Sequence, residues 1–164
     1  MYKYQYFTQN LGIILKKARM MERYILGFQI RKIFPFHLIL GSPDFDKYEE
    51  ILNQAKIELA QQRQFILNQL KDCPLKALED YYHSSFISIE LLNKELTALV
   101  QCNSLQRERF FDSSSVKIGE INDSIKNLRS YQLKYQDHLP KISPLWNEVQ
   151  NSNSVELPPN EKSE

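Results

Sequence analysis

The stretch LEDYYHSSFISIELLNKELTALVQCNSLQRERF, residues 78–110, decides the fold class because one set of its residues repeats at helical spacing. The set recurs at alternating steps of four and three residues, which places its members along one face of an α-helix. Its members are Leu78, Tyr82, Ser85, Ile89, Leu92, Leu96, Leu99, Asn103, Gln106 and Phe110. The pattern predicts a long helix over about 74–111 with coiled-coil-like heptads.

The segments on either side carry the same spacing. Before the long stretch, the stripe is Phe45, Tyr48, Leu52, Ala55, Leu59, Gln62, Ile66 and Gln69, and after it the stripe is Ile118, Ile121, Ile125, Leu128, Gln132, Tyr135 and Leu139. Ser42-Pro43-Asp44 has the residue types of a helix start, with Ser42 as the predicted N-cap. Asp72 or Cys73 is the predicted cap before Pro74, and DSSS at 112–115 should end one helix and cap the next.

Short connectors between successive helices favour antiparallel neighbours. We therefore expect an all-α fold of about four helices, an elongated antiparallel bundle whose three-helix body spans 41–140. Four glycines in 164 residues are too few for the many tight turns of a β-sandwich or barrel. The residues expected to pack the bundle are Leu52, Leu59, Ile89, Leu92, Leu96, Leu99, Ile121, Ile125 and Leu128.

The two ends of the chain are predicted to differ from the body. Residues 1–40 should form an N-terminal arm, with a helix from Thr8, its N-cap, to Ile33 and an apolar extended connector at 34–42. The arm's helical stripe is Leu11, Ile14, Ala18, Met21, Ile25 and Phe28. Residues 141–164 should form one short turn followed by a disordered tail, since the last stretch has few large apolar residues.

The charge is divided unequally between the arm and the rest. Residues 1–40 hold seven Lys or Arg and one Glu, a net +6, while the other residues carry a net −5. Such a basic segment is typical of contact with an anionic partner or lipid surface. The cations expected to make that contact are Lys16, Lys17, Arg19, Arg23, Arg31 and Lys32.

Three interpretations of the arm stay open at this point. It packs on the bundle with its charges in solvent, it lies on an anionic membrane surface, or its aromatic and cationic residues contact nucleic acid. The high apolar content favours packing or lipid and disfavours nucleic acid.

Patterns for catalytic or metal chemistry are weak. Asp80 and His83 stand at the i, i+3 spacing of di-iron bundles, but a second such pair and the accompanying glutamates are missing, and no zinc motif is present. Phosphate loops need clustered glycines, and no two glycines are closer than 14 positions. The sequence predicts no catalytic, cofactor or metal site.

Cysteine use and hydropathy bear on the compartment. Cys73 and Cys102 are 29 positions apart, too far for a disulfide along one helix, so a reducing, cytoplasmic compartment is expected. The basic, acid-poor arm also resembles an import sequence in composition, which makes a mitochondrial location the alternative. The longest uncharged stretch after residue 32 has 11 residues, short of the ~20 that a membrane span needs.

Amides occupy several stripe positions, where buried polar groups lower stability but can fix register and partner choice. They are Gln62, Gln69, Asn103, Gln106 and Gln132.

Together these patterns predict a non-catalytic helical scaffold or adaptor that binds protein partners through heptad helices and the N-terminal arm. The partner is expected to be another copy of the chain or a larger complex. The alternative is a peripheral membrane protein that binds anionic lipid through its first helix.

Overall fold

The computed structural model describes the backbone of residues 2–31, 43–71, 73, 75–112 and 114–155, and the side chains of 9–27, 43–71, 73, 75–112 and 114–151. This part of the chain is helical and contains no strand, so the predicted all-α helical bundle is confirmed. The elements are α1 (Tyr2–Arg31), α2 (Phe45–Lys71), α3 (Lys76–Phe111), α4 (Ile118–His138), a 3-10 helix (Leu139–Lys141) and α5 (Ile142–Val155). The predicted connector at 34–42, the tail residues 156–164, Asp72 and Pro74 lie outside the described residues.

Helix α3 is the central element because it is buried on two faces. The predicted stripe from Leu78 to Gln106 is buried, and α2 packs against it: Asn103 Nδ2 donates to the Phe45 carbonyl oxygen at 3.0 Å. A second set of α3 residues is also buried, namely Tyr81, Ser84, Ser88, Glu95, Ala98 and Cys102. This second face meets α4 and α5, and α1 reaches it through the pair of Arg19 with Glu95.

Contacts along this second face fix how α3 meets its neighbours. Cys102 Sγ lies 3.1 Å from Ser124 Oγ of α4. The His138 ring at the end of α4 places Nε2 2.9 Å from the Ser84 carbonyl oxygen. That oxygen can only accept, so Nε2 carries the proton.

The residues expected to pack the bundle lie in its interior. Leu52, Leu59, Ile89, Leu92, Leu96, Leu99 and Leu128 are at most 1% exposed, Ile121 is buried, and Ile125 is partly buried against the core. The stripes lose burial at their ends: Phe110 is 40% exposed, Ile118 62% and Leu139 39%. A residue at a helix end has a neighbouring helix on fewer sides, so spacing alone overstates its burial.

Both ends of the chain are more helical than the sequence predicts. Helix α1 begins at Tyr2, which places Thr8 inside the helix and excludes it as the N-cap. Helix α5 has 14 residues where a short turn was expected. It packs against α3, and Val149 is buried in the core. Tertiary packing of a few apolar residues thus outweighs the polar composition around them.

Helix caps differ from the predicted ones. Asp44 Oδ1 accepts from the Lys47 backbone N–H at 3.0 Å, so Asp44 is the N-cap of α2, and Ser42 lies outside the described residues. Leu75 occupies the N-cap position of α3 and makes no side-chain cap bond. Cys73 does not cap α3 either, because its Sγ donates to the Leu75 carbonyl oxygen at 3.6 Å.

The serines at 114 and 115 do not cap α4. Ser114 donates from its backbone N–H and its Oγ to Asp112 Oδ1, and Ser115 Oγ donates to the Asp112 carbonyl oxygen. The N-cap position of α4 is Lys117, again without a side-chain cap bond. The serines therefore build a turn around Asp112, the C-cap of α3.

The five amide residues at stripe positions differ in how deeply they are buried. Gln62 and Gln69 are half-buried, while Asn103, Gln106 and Gln132 are buried. Neither polar atom of the Gln106 side chain has a hydrogen-bond partner, and Asn103 leaves its Oδ1 without one. A buried amide without partners keeps the full desolvation cost of its polar atoms.

We expect Gln106→Leu to raise the free energy of unfolding by about 1–3 kcal/mol, because the substitution removes unpaired polar atoms at similar volume. Urea unfolding of the two proteins measures the difference. Gln101→Leu, an exposed change five residues earlier on α3, is the control and should stay within about 0.5 kcal/mol. Equal or lower stability of the Gln106 variant would contradict an unsatisfied amide.

Candidate partner-binding face

Helix α1 has an inner stripe that belongs to the core. Ile14, Ala18, Met21 and Ile25 are each at most 1% exposed. They pack where α1 contacts α2 and α3. The described part of α1 is thus a component of the bundle, as the packing interpretation of the arm expected.

A second apolar set lies beside the inner stripe on α1, about 100° around the helix from it. Ile13 is 52% exposed, Met20 44% and Tyr24 43%, and the exposed cations Lys16 and Arg23 lie between and beside them. The separations of seven and four residues put the three apolar side chains on one helical face. We call Ile13, Lys16, Met20, Arg23 and Tyr24 the outer face of α1.

The outer face has a defined shape. The Tyr24 ring stacks on the Tyr48 ring of α2, with centroids 5.6 Å apart and planes inclined by 17°. This contact holds Tyr24 at the seam between the two helices. Lys16, Met20, Arg23 and Tyr24, together with Arg19, line a surface depression of about 600 Å³. A shallow apolar depression with cations in its wall suits an apolar side chain next to an acidic one.

Two of the six predicted contact cations are engaged inside the fold. Both carboxylate oxygens of Glu58 lie 2.7 Å from Lys17 Nζ, and this hydrogen bond lowers the pKa of the Glu58 carboxyl. Arg19 pairs with Glu95. The side chains of Arg31 and Lys32 lie outside the described ones. Of the six, the described side chains leave Lys16 and Arg23 exposed.

Arg19 belongs to a polar network that joins three helices. Its Nη1 and Nη2 donate to the two carboxylate oxygens of Glu95 at 2.5 and 3.3 Å, and Nη1 also contacts Glu22 at 3.1 Å. Arg129 Nη1 of α4 donates to Glu22 and to Gln132 Oε1, both at 2.7 Å. Arg19, Glu22, Glu95, Arg129 and Gln132 form this polar network, in which Glu95 and Gln132 are buried and Arg129 is exposed.

Glu95 is the deepest group of this network, with a fully buried side chain. Burial raises the pKa of the Glu95 carboxyl, an effect that the Arg19 charge partly offsets. The nearby Tyr135 hydroxyl also has a raised pKa, first because it is buried and then because of the Glu95 charge. The site is a structural ion pair between α1 and α3 with a long 3.5 Å contact from Gln132.

The residues considered for chemistry are held by ordinary contacts. The His83 side chain is 60% exposed, and its Nε2 lies 3.6 Å from Glu79 Oε1. Asp80 lies 3.3 Å from Lys76 Nζ. Cys102 is buried, and burial raises the pKa of its thiol, which disfavours the reactive thiolate. Among the described residues, no group of three His, Cys, Asp or Glu side chains could hold a metal ion.

Sequence reasoning did not single out Glu95 or Ser88. A signal was present, since Tyr81, Ser84, Ser88, Glu95, Ala98 and Cys102 are separated by steps of three, four and, once, seven residues, which keep them on one helical face. Half of these residues are polar, so a search for apolar periodicity passes over them.

In the described helices, none combines the length and the apolar character needed to cross a bilayer. Comparison of the chain with protein-family models, curated proteins and solved structures found no match.

Proposed function

We propose that the chain is a non-catalytic helical scaffold or adaptor that binds an acidic protein surface through the outer face of α1. The observation that carries the proposal is the exposure of Ile13, Met20 and Tyr24 along one strip of a helix whose neighbouring inner stripe is buried. An apolar stripe on a surface helix loses contact with water only when a partner covers it.

Charge supports an acidic protein as the partner. Lys16 and Arg23 flank the stripe, and no carboxylate lies in the described lining of the adjoining depression. Acidic side chains on the partner would complement these cations and disfavour basic competitors. Another copy of this chain is one form such a partner can take, since residues 41–164 carry a net −5.

We propose that the helices supporting this face form an antiparallel bundle with coiled-coil-like heptads. Two contacts between α2 and α3 support this arrangement. Arg107, near the end of α3, lies 2.8 Å from Asp46 in the first turn of α2. Tyr82, early in α3, lies 3.4 Å from Gln69 near the end of α2. The stripes of these helices pack mainly inside the bundle and are not available to a partner. The outer face of α1 is therefore the proposed contact.

A membrane surface is the second candidate, favoured by the same mixture of apolar and cationic side chains. The pairing of Lys17 with Glu58 and of Arg19 with Glu95 weighs against it. These pairs reduce the charge that the described part of α1 can offer to anionic headgroups. Stable attachment to a membrane needs more charge or more buried apolar area than the few cationic and apolar side chains of the outer face provide.

We expect Lys16→Glu with Arg23→Glu to abolish partner retention while leaving the fold intact, because both side chains are exposed. The tagged chain is used to retain proteins from the source cells, and each retained protein is quantified by mass spectrometry. Lys94→Glu with Lys117→Glu, two exposed positions on other elements, is the control with the same change of charge. Sedimentation equilibrium at several concentrations tests self-association for the same three proteins.

The proposal predicts a partner that the original chain and the control retain and that the reversed variant loses. Equal retention by all three proteins contradicts it. Co-sedimentation with phosphatidylserine vesicles at low salt, lost in the reversed variant and absent with phosphatidylcholine, would replace it by the membrane alternative.

A further inference from the structure

A cavity of about 410 Å³ lies where α1, α3, the end of α4, the 3-10 helix and α5 meet. Leu11 and Leu15 of α1 form one side, and Tyr81, Tyr135 and Trp146 line it from α3, α4 and α5. Its volume falls within the ~300–1,000 Å³ range of small-molecule sites. It is separate from the outer face of α1, because none of the five residues that define that face lines it.

The cavity wall is apolar and uncharged in its described part. Leucine, isoleucine and aromatic side chains make up most of the lining, which contains no Lys, Arg, Asp, Glu or His. A buried charge without a partner is strongly unfavourable, so this lining selects against ionised ligands. A molecule held here should be neutral and mainly apolar.

One hydroxyl in the wall lacks a hydrogen bond. Ser85 is 1% exposed, and its Oγ has no hydrogen-bond partner. A serine inside a helix can donate to the carbonyl oxygen four residues earlier, as Ser88 does to Ser84 at 3.3 Å. Ser85 makes no such bond, and it is one of the residues that line the cavity.

We propose that this cavity binds a neutral, mainly apolar small molecule that carries one hydroxyl or carbonyl group, and that this group hydrogen-bonds to Ser85 Oγ. The aromatic side chains of Tyr81 and Trp146, whose ring centroids are 5.2 Å apart, provide flat apolar surface for the rest of the ligand. An unsatisfied buried hydroxyl beside an apolar cavity is the combination expected of a specific site rather than of a packing defect.

Fluorescence titration of the whole chain with N-phenyl-1-naphthylamine, a neutral apolar probe, tests for the site. Displacement by 1-octanol and by octane then compares two ligands that differ by one hydroxyl. We expect saturable binding of one probe per chain. Ser85→Ala should reduce the preference for octanol over octane by about 2–10-fold, the contribution of one hydrogen bond.

Gly12 provides a second, independent variant. It lines the cavity, and a Cβ at this position meets no atom within 4 Å. Gly12→Ala should therefore bind the probe as the original chain does, whereas Gly12→Phe should fill space at the cavity and weaken binding at least about tenfold. Circular dichroism verifies the fold of each variant.

Absence of saturable probe binding to the original chain overturns the proposal. So does an octanol-to-octane ratio that Ser85→Ala leaves unchanged, whatever the behaviour of the Gly12→Phe variant. Unchanged probe affinity in a folded Gly12→Phe protein would show that the probe binds elsewhere.

Discussion

Leu96→Ala should lower the free energy of unfolding by about 2–5 kcal/mol, a large part of the stability of a domain of this size. Leu96 has no exposed surface and lies in the middle of α3, which other helices cover on both faces. Truncation therefore removes apolar contacts and leaves a cavity that rigid neighbours fill only in part.

Urea unfolding followed by circular dichroism measures this loss, with the m-value expected to stay unchanged. Leu133→Ala is the matched control, because Leu133 on α4 is 60% exposed and the same atoms are removed. Its effect should stay within about 0.5 kcal/mol. Equal effects of the two substitutions would mean that α3 is not central to the core.

Apolar periodicity predicted the inner sides of α2, α3 and α4 because burial of large apolar residues dominates the folding free energy. Leu52, Leu92 and Leu128 lie on these stripes and have no exposed surface. The second face of α3 was not predicted. Ser88 and Glu95 have the composition of a solvent-facing side, and only the packing of other helices against α3, α1 included, places them inside.

The surroundings of the cations on α1 could be predicted only in part. The excess of cations in the arm pointed to α1, yet local sequence could not separate Lys16 from Lys17. The latter pairs with Glu58, 41 positions away, and Arg19 with Glu95, 76 positions away. Such pairs depend on which helices lie side by side, and helical spacing within one element carries no information about that.

Arg19→Ala should destabilise the fold by about 2–3 kcal/mol at neutral pH, because it leaves the Glu95 carboxylate buried without its cation. The value is below the ~3–5 kcal/mol of fully buried pairs, since the Arg19 side chain is 30% exposed and water already screens it. Arg23→Ala, an exposed arginine one turn later on the same helix, serves as the control and should change little. Urea unfolding measures both variants.

The pH dependence of this loss identifies its origin. Burial raises the folded-state pKa of Glu95 above its ordinary value of 4.5, and removal of the Arg19 charge raises it further. A carboxyl whose pKa is higher in the folded state destabilises the fold as pH rises from the ordinary value through the folded one. The cost of Arg19→Ala should therefore be largest at neutral pH and shrink as the pH falls toward 4.5, because the folded protein protonates Glu95 before that pH is reached.

Glu95→Gln tests whether the Glu95 carboxyl causes this pH dependence, rather than the other titratable groups that face it, Glu22 of α1 and Tyr135 of α4. In an Arg19→Ala background, the added glutamine substitution should recover stability at neutral pH and recover little near pH 4.5, because the neutral amide resembles the protonated acid. Glu58, whose pKa is lowered, contributes the opposite slope, but it is common to both proteins and cancels in the difference. A stability difference between these two proteins that does not change with pH would mean that Glu95 is not the group left unpaired.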